Sequence, residues 1–300
     1  MGDFYQNGIV TTLHNLTRRP VEAIEAELIE FNKVRKLGLV LPCLYSEIEG
    51  PAMQNIVDEL SKVPYLTEII IGLDKANENQ YRKALSFFAA LPQNHKILWN
   101  DGTRLRAAQA QLADAGLSIG EPGKGRNVWF CFGYATASQR TNVLALHDCD
   151  IVTYKRDLLA RLIYPIANPQ FNYTFCKGFY SRIANGKMNG RVSRLLVTPL
   201  LRALSKIFGQ QEYLEYLDSF RYPLAGEFSL RTDSVQDIRI SSDWGLGNWR
   251  ARRDETQPLD QPHLPSRYCR QLRSQAPSVI GRKRQSGLIK NVYRYKQSDF

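Results

Sequence analysis

The sequence predicts an α/β protein with a Rossmann-like parallel sheet and helices on both faces, joined to a second half that completes a binding site. Three observations predict it. Leu37–Leu44, Leu66–Leu73 and Val143–Leu146 are short, continuously apolar runs, the pattern of strands buried on both faces. Stretches with helical spacing separate them. The resulting β-α-β-α series is the signature of a doubly wound sheet.

The elements follow in order. Residues 1–36 form a lead-in, in which Pro20 opens a helix through Phe31 with Val21, Ile24, Leu28 and Phe31 on one face. After the first strand, Gly50-Pro51 starts a helix carrying Met53, Ile56, Val57 and Leu60. The second strand ends in Asp74. A helix over Glu78–Leu91, a third strand Lys96–Trp99 and a helix over Arg104–Ala113 come next. Gly123-Lys124-Gly125-Arg126 then leads into a helix through Ala137. Residues 37–150 make up this first half. In the second, residues 151–246, Phe171–Tyr180 reads as a strand with interleaved aromatics. Leu195–Phe208 reads as an apolar helix interrupted by Pro199, and an aromatic stretch covers Tyr213–Tyr222.

Composition narrows the class. Apolar residues make up 43% of the 300, ordinary for a globular chain able to bury a substantial core. No apolar run reaches membrane-spanning length, and the N-terminus lacks a basic-then-apolar signal pattern. Five scattered cysteines without a Cys-x-x-Cys point to a reducing cytoplasm rather than a disulfide framework or zinc module. The net charge of +11 suggests nucleic acid, but residues 247–300 alone hold 12 Lys/Arg against 4 Asp/Glu. The charge belongs mostly to the tail, and no nucleic-acid partner is expected for the rest.

The residues with chemical content sit where strands end, which is where open α/β sheets bind ligands. His147-Asp148-Cys149-Asp150 closes the last strand of the first half, and an Asp-x-Asp there suits a hard divalent cation shared with a diphosphate. Pro42-Cys43-Leu44-Tyr45-Ser46-Glu47 follows strand one, where a base and ribose would lie. Asp74 can bond the same nucleoside, and Lys124 beside a helix start suits phosphate. Gly190-Arg191-Val192-Ser193 combines close backbone approach with a bidentate arginine for a carboxylate or phosphate. Each has a plain structural alternative: solvated strand-end carboxylates, a strand-to-helix loop, a turn-forming Asp, a glycine turn and a helix cap.

Taken as an ordered set, these features resemble retaining nucleotide-sugar glycosyltransferases of the GT-A fold and, within them, the glucosyl-3-phosphoglycerate synthase family. The resemblance covers about residues 34–246. Its most specific pieces are Gly190–Ser193 with the following Pro199 helix, Pro223-Leu224-Ala225-Gly226-Glu227, and Ser242-Asp243-Trp244-Gly245-Leu246. It implies glucose transfer from a nucleotide-glucose such as UDP-glucose to 3-phosphoglycerate with retention, giving the precursor of the compatible solute glucosylglycerate. Pro42, Leu44, Glu47, Asp74 and Lys124 would hold the nucleotide, and Leu224, Ala225, Gly226 and Glu227 the sugar. Asp148 and Asp150 would serve the sugar nucleotide and Mg²⁺ or Mn²⁺, with Asp150 the direct ligand. Gly190, Arg191, Val192 and Ser193 would hold the acceptor. Similar enzymes are often homodimers. No catalytic nucleophile is assigned. Cys149 and Ser193 stand where the pattern more often has Ser and Thr.

After Leu246 the resemblance stops, and Gly247–Phe300 reads as an aberrant basic tail, expected to be poorly ordered. Displacing the codons by one base from Gly247 allows a Glu-Ile-Gly start. Further on it allows an Asp-His-Lys-His-Gln segment that the family carries in this order, so a frameshift at Leu246/Gly247 is inferred. It would remove a glutamate and a metal-binding histidine and leave the chain weakly active or inactive. Other readings remain: a transferase using GDP-mannose or another acceptor, a pseudoenzyme that binds nucleotide, or a basic nucleic-acid-binding protein.

Overall fold

The computed structural model describes residues 10–13, 15–117, 120–179, 183–184, 187–188, 192–237 and 278–281. In chain order its first elements are β1 (Thr11–Thr12), α1 (Val21–Val34), β2 (Leu37–Leu44), α2 (Tyr45–Ile48), α3 (Pro51–Leu60) and β3 (Glu68–Asp74). They are followed by α4 (Glu78–Phe88), β4 (His95–Trp99), α5 (Thr103–Asp114), α6 (Lys124–Ser138), β5 (Val143–Leu146) and α7 (Arg156–Ala167). The second half adds β6 (Tyr173–Lys177), the hairpin strands β7 (Ile183–Ala184) and β8 (Lys187–Met188), α8 (Thr198–Phe208), α9 (Glu212–Asp218) and β9 (Phe228–Arg231). A last strand, β10, covers Ser278–Gly281.

Among the described residues, eight strands form one sheet in the order β1-β10-β6-β9-β5-β2-β3-β4. The β5-β2-β3-β4 block is parallel, with Val40 opposite Leu146 and Leu41 opposite Ile71. Its central strands are buried along almost their whole length, which is why they read as unbroken apolar runs. The sheet is mixed beyond this block. β9 runs antiparallel to β5, and β6 runs antiparallel to β9, so strands from both sides of residue 150 share one sheet. An antiparallel neighbour needs no crossover helix, so the helix–strand alternation that marks the parallel block gives no sign of it.

Alternate strand residues face two cores. Leu39, Leu41, Ile69 and Ile71 pack against Ile24 and Leu28 of α1, Met53 and Ile56 of α3, Phe88 of α4 and Leu159 and Ile163 of α7. Val40, Ile70, Leu144 and Leu146 pack against Val128, Cys131 and Phe132 of α6 and Tyr216 of α9. Helices thus cover both faces, as predicted. Gly72 sets how closely α6 approaches: a Cβ there would lie 2.6 Å from Cys131 Sγ, and the Gly72 carbonyl instead accepts a 2.8 Å bond from Asn127 Nδ2. Helix starts follow local chemistry. Pro51 opens α3, and Asn77 caps α4 reciprocally with Gln80 at 2.8 and 2.9 Å.

Candidate active site

The parallel strands end on one side of the sheet, and the sequence-predicted donor residues gather there. After β2, Leu44 leads directly into α2, and its backbone N–H donates to Glu47 Oε2 at 2.7 Å. This bond turns the Glu47 carboxylate back over the end of β2. Burial pushes its carboxyl up from the ordinary range. The nearby carboxylates of Asp150 and Asp148 add to that, while the Leu44 N–H and Lys124 favour the charged form. Lys124 opens α6 immediately after Gly123, and its Nζ forms an ion pair with Asp148 Oδ1. Glu47, Lys124, Asp148 and Asp150 therefore form one electrostatic group. Asp148 is half-buried, Cys149 buried and Asp150 exposed.

The second half closes over the same point. A Cβ built on Gly226 would lie 3.0 Å from Asp148 Oδ1 and nearer still to Oδ2, so the loop backbone comes against this carboxylate only because residue 226 is glycine. Lys177, buried at the end of β6, donates from Nζ to the Ala225 carbonyl at 2.7 Å, and Gly178 N–H donates to the Glu227 carbonyl at 2.8 Å. These bonds fix the loop that carries Leu224, Ala225, Gly226 and Glu227. Burial pulls Lys177 down to about 7, against the nearby Glu227 carboxylate, which favours its proton. Sequence reasoning missed Lys177. Its only signal was a lysine two residues beyond Phe175, on the buried side of an aromatic strand.

The other predicted residues are placed as follows. Pro42 lies buried in β2 opposite Gly72. Asp74, buried at the end of β3, accepts a 2.7 Å bond from Asn100 Nδ2 and is also bonded by Asn127. Burial raises its carboxyl. Val192 is exposed and Ser193 buried, at the start of a π-helical turn, Ser193–Val197, that runs into α8. Ser193 Oγ has no hydrogen-bond partner among the described residues. Gly190, Arg191 and the Ser242–Leu246 motif lie outside the described residues, as does the tail apart from β10. His147, beside Asp148, is fully buried with its ring edge-to-face on Tyr154 at 5.4 Å, and burial pushes it down to about 3, so the ring is neutral. Among the described residues, Asp148 and Asp150 do not join a third His, Cys, Asp or Glu in a tight donor group. The group that does form is Cys43, Glu47 and Cys149.

No protein-family model matches the chain. Over 246 residues it is 46% identical to the glucosyl-3-phosphoglycerate synthase of Persephonella marina, a match covering 82% of this chain and 61% of that protein. Over 248 residues it is 38% identical to the protein of the same name from Methanococcoides burtonii, covering 81% and 60%. The chain thus spans about three fifths of the length of these curated relatives. Among solved structures it is similar to glucosyl-3-phosphoglycerate synthase from Mycobacterium tuberculosis. The complex with Mn²⁺, UDP-glucose and phosphoglyceric acid gives a TM-score of 0.55 at 20% identity, over 80% of this chain and 71% of that one. The complex with Mg²⁺ and UDP gives 0.54 at 20% identity, over 79% and 69%. The resemblance read from the sequence is borne out by these relatives, and the chain has the GT-A glycosyltransferase fold.

Proposed function

We propose that the site serves transfer of glucose from UDP-glucose to 3-phosphoglycerate with retention of anomeric configuration. The observation that carries this reading is the convergence of Glu47, Lys124 and Gly226 on Asp148, at the strand ends where an α/β sheet binds nucleotides. The named relatives support the choice of donor and acceptor.

In this reading Pro42, Leu44, Glu47 and Asp74 line the nucleoside side. Lys124, ion-paired with Asp148 in the free chain, turns to the diphosphate when donor binds. Gly226 leaves room for the sugar beside Asp148, and Lys177 holds the loop that frames it. Gly190, Arg191, Val192 and Ser193 take the acceptor's phosphate and carboxylate, and the buried, unpartnered Ser193 Oγ suits that role. The oxygen donors of Asp148 and Asp150 fit a hard cation that takes one or two carboxylates and completes its shell with phosphate and water. Bound there, Mg²⁺ or Mn²⁺ would neutralise charge developing on the departing diphosphate. The protein's own contribution is to orient the acceptor hydroxyl at the anomeric carbon and to hold Lys124 against the leaving group.

Titration calorimetry with UDP tests the donor side. Lys124→Met is expected to weaken UDP binding roughly 10- to 100-fold, the loss of one charge-assisted contact. Absence of UDP binding, or binding indifferent to Lys124, would overturn the reading. Product analysis with UDP-glucose or GDP-mannose, each against 3-phosphoglycerate and glycerate, tests the specificity. A cytoplasmic location accords with the four described cysteines, all free and buried, and no described helix is long and apolar enough to cross a membrane. Homodimerisation is checked by light scattering.

A further inference from the structure

Two strand ends bring a second, chemically different donor set together beneath the carboxylates. The register that pairs Val40 with Leu146 places Cys43 opposite Cys149 when it is carried three residues further along both chains. Both cysteines are buried, and Cys43 Sγ donates to the Leu44 carbonyl at 3.2 Å. Cys43 Sγ, Cys149 Sγ and a carboxylate oxygen of Glu47 all lie within 4.8 Å of one another. A tetrahedral zinc site with Zn–S near 2.3 Å has donor–donor edges of about 3.5–3.8 Å. The three groups therefore need to close by only about 1 Å, a side-chain adjustment.

We propose that Cys43, Cys149 and Glu47 bind a thiophilic divalent cation of the Zn²⁺ class, with three protein ligands and a fourth position open to water. The donor chemistry separates this site from that of a hard cation. Thiolates select Zn²⁺, whereas Mg²⁺ takes the oxygens of Asp148 and Asp150. On binding, each thiol releases its proton to solvent as its sulfur–metal bond forms, and the Glu47 carboxylate supplies the oxygen. Occupancy would fasten the end of β2 to the end of β5 and commit Glu47, which the donor reading also uses. The metal site itself stands on the geometry of the three donors and does not depend on that reading.

The test uses the full-length chain, reduced and anaerobic, titrated with Co²⁺ as a spectroscopic substitute and then with Zn²⁺. One equivalent of Co²⁺ is expected to give a thiolate-to-metal charge-transfer band with the intense visible bands of tetrahedral geometry. Zn²⁺ should displace it, and excess Mg²⁺ should not. Zn²⁺ affinity should fall at least about a hundredfold in Cys149→Ser and in Cys43→Ser, since even outer-shell changes cost 10- to 100-fold. Cys149→Ser introduces a small polar residue of similar size, so it remains informative if Cys43→Ser folds poorly. Cys269→Ser should leave the spectrum unchanged, because the proposed ligands are elsewhere. A wild-type chain without the charge-transfer band overturns the proposal. So does a band that survives Cys149→Ser, or one that disappears in Cys269→Ser. Loss of UDP binding in Lys124→Met bears only on the donor reading, so the two fail separately.

Discussion

Gly226 is the residue at which the two halves of the site press closest. Its missing Cβ is what allows the loop backbone to lie on the Asp148 carboxylate. Gly226→Ala must push Asp148 or the loop aside, and either movement disturbs the Lys124 pair. We expect donor affinity to fall about tenfold or more, of the order of one lost charge-assisted contact, with little change in the thermal midpoint. Calorimetry with UDP and a melting curve separate the two effects. Lys177 yields a prediction about pH. Its folded value, about 7, lies below the 10.5 of the free side chain. Between those values the unfolded chain holds a proton that the folded chain has lost, so this group makes stability rise with pH across that window. The penalty is full below pH 7, where both states are protonated. Wild type should therefore gain stability relative to Lys177→Met between pH 7.5 and 9.5, with a limiting slope of about 1.4 kcal/mol per pH unit. A flat difference in urea midpoints would contradict this. Asp148 could be picked out in sequence because it follows a strand end, where open sheets bind ligands, and Lys124 because it opens a helix after a glycine, whereas Glu47 was singled out by the family resemblance. Lys177 could not, because its role comes from a carbonyl 48 residues away.

At the scale of elements, Glu68 shows how the frame that presents the site is tied together. It is buried at the start of β3, where it accepts 3.1 Å bonds from Asn94 Nδ2, ahead of β4, and from Tyr134 Oη on α6, with Arg140 at 3.5 Å. One carboxylate thus joins two strands and the helix that carries Lys124 at its other end. Glu68→Ala removes an acceptor shared by the half-buried Tyr134 and the exposed Asn94 and Arg140, whose freed donors can turn to water. A destabilisation of about 1–2 kcal/mol is expected, read from urea unfolding. The parallel block was readable because β2, β3 and β5 are buried on both faces. The predicted bounds of β2 and β5 match the structure, and those of β3 and β4 fall within two residues. α7 was not readable as a helix. It contains Pro165, which argues against a helix in sequence, and its second half is the unbroken apolar run Leu162–Ala167. β9 has only four residues and gains its meaning from pairing with β5 and β6, contacts that a local pattern does not encode.

At the scale of the whole molecule, the donor-side groups all precede residue 228, while the inferred frameshift begins at Gly247. We propose that residues 247–300 replace the family's remaining glutamate and metal-binding histidine. This separates two properties that normally travel together. UDP alone should bind through Glu47, Lys124 and the β2 and β3 ends, which this chain retains. Without that glutamate and histidine the cation keeps only Asp148 and Asp150 as protein ligands, so the affinity that Mg²⁺ adds and the transfer step should both be weaker than in a chain that has them. A chain with the displaced frame restored from Gly247 should bind UDP without metal about as tightly as this one, within roughly threefold, or about 0.7 kcal/mol. It should gain affinity on adding Mg²⁺, and it should transfer glucose at least about a hundredfold faster, the scale of losing one preorganised charge contact in a transition state. Parallel calorimetry with and without Mg²⁺, and initial rates with UDP-glucose and 3-phosphoglycerate, measure all three. Equal rates from the two chains would show that the tail supplies what the site needs and would defeat the frameshift reading. Equal rates with a Mg²⁺ effect abolished by Asp150→Asn would go further, placing the metal on the Asp148–Asp150 pair without help from the tail.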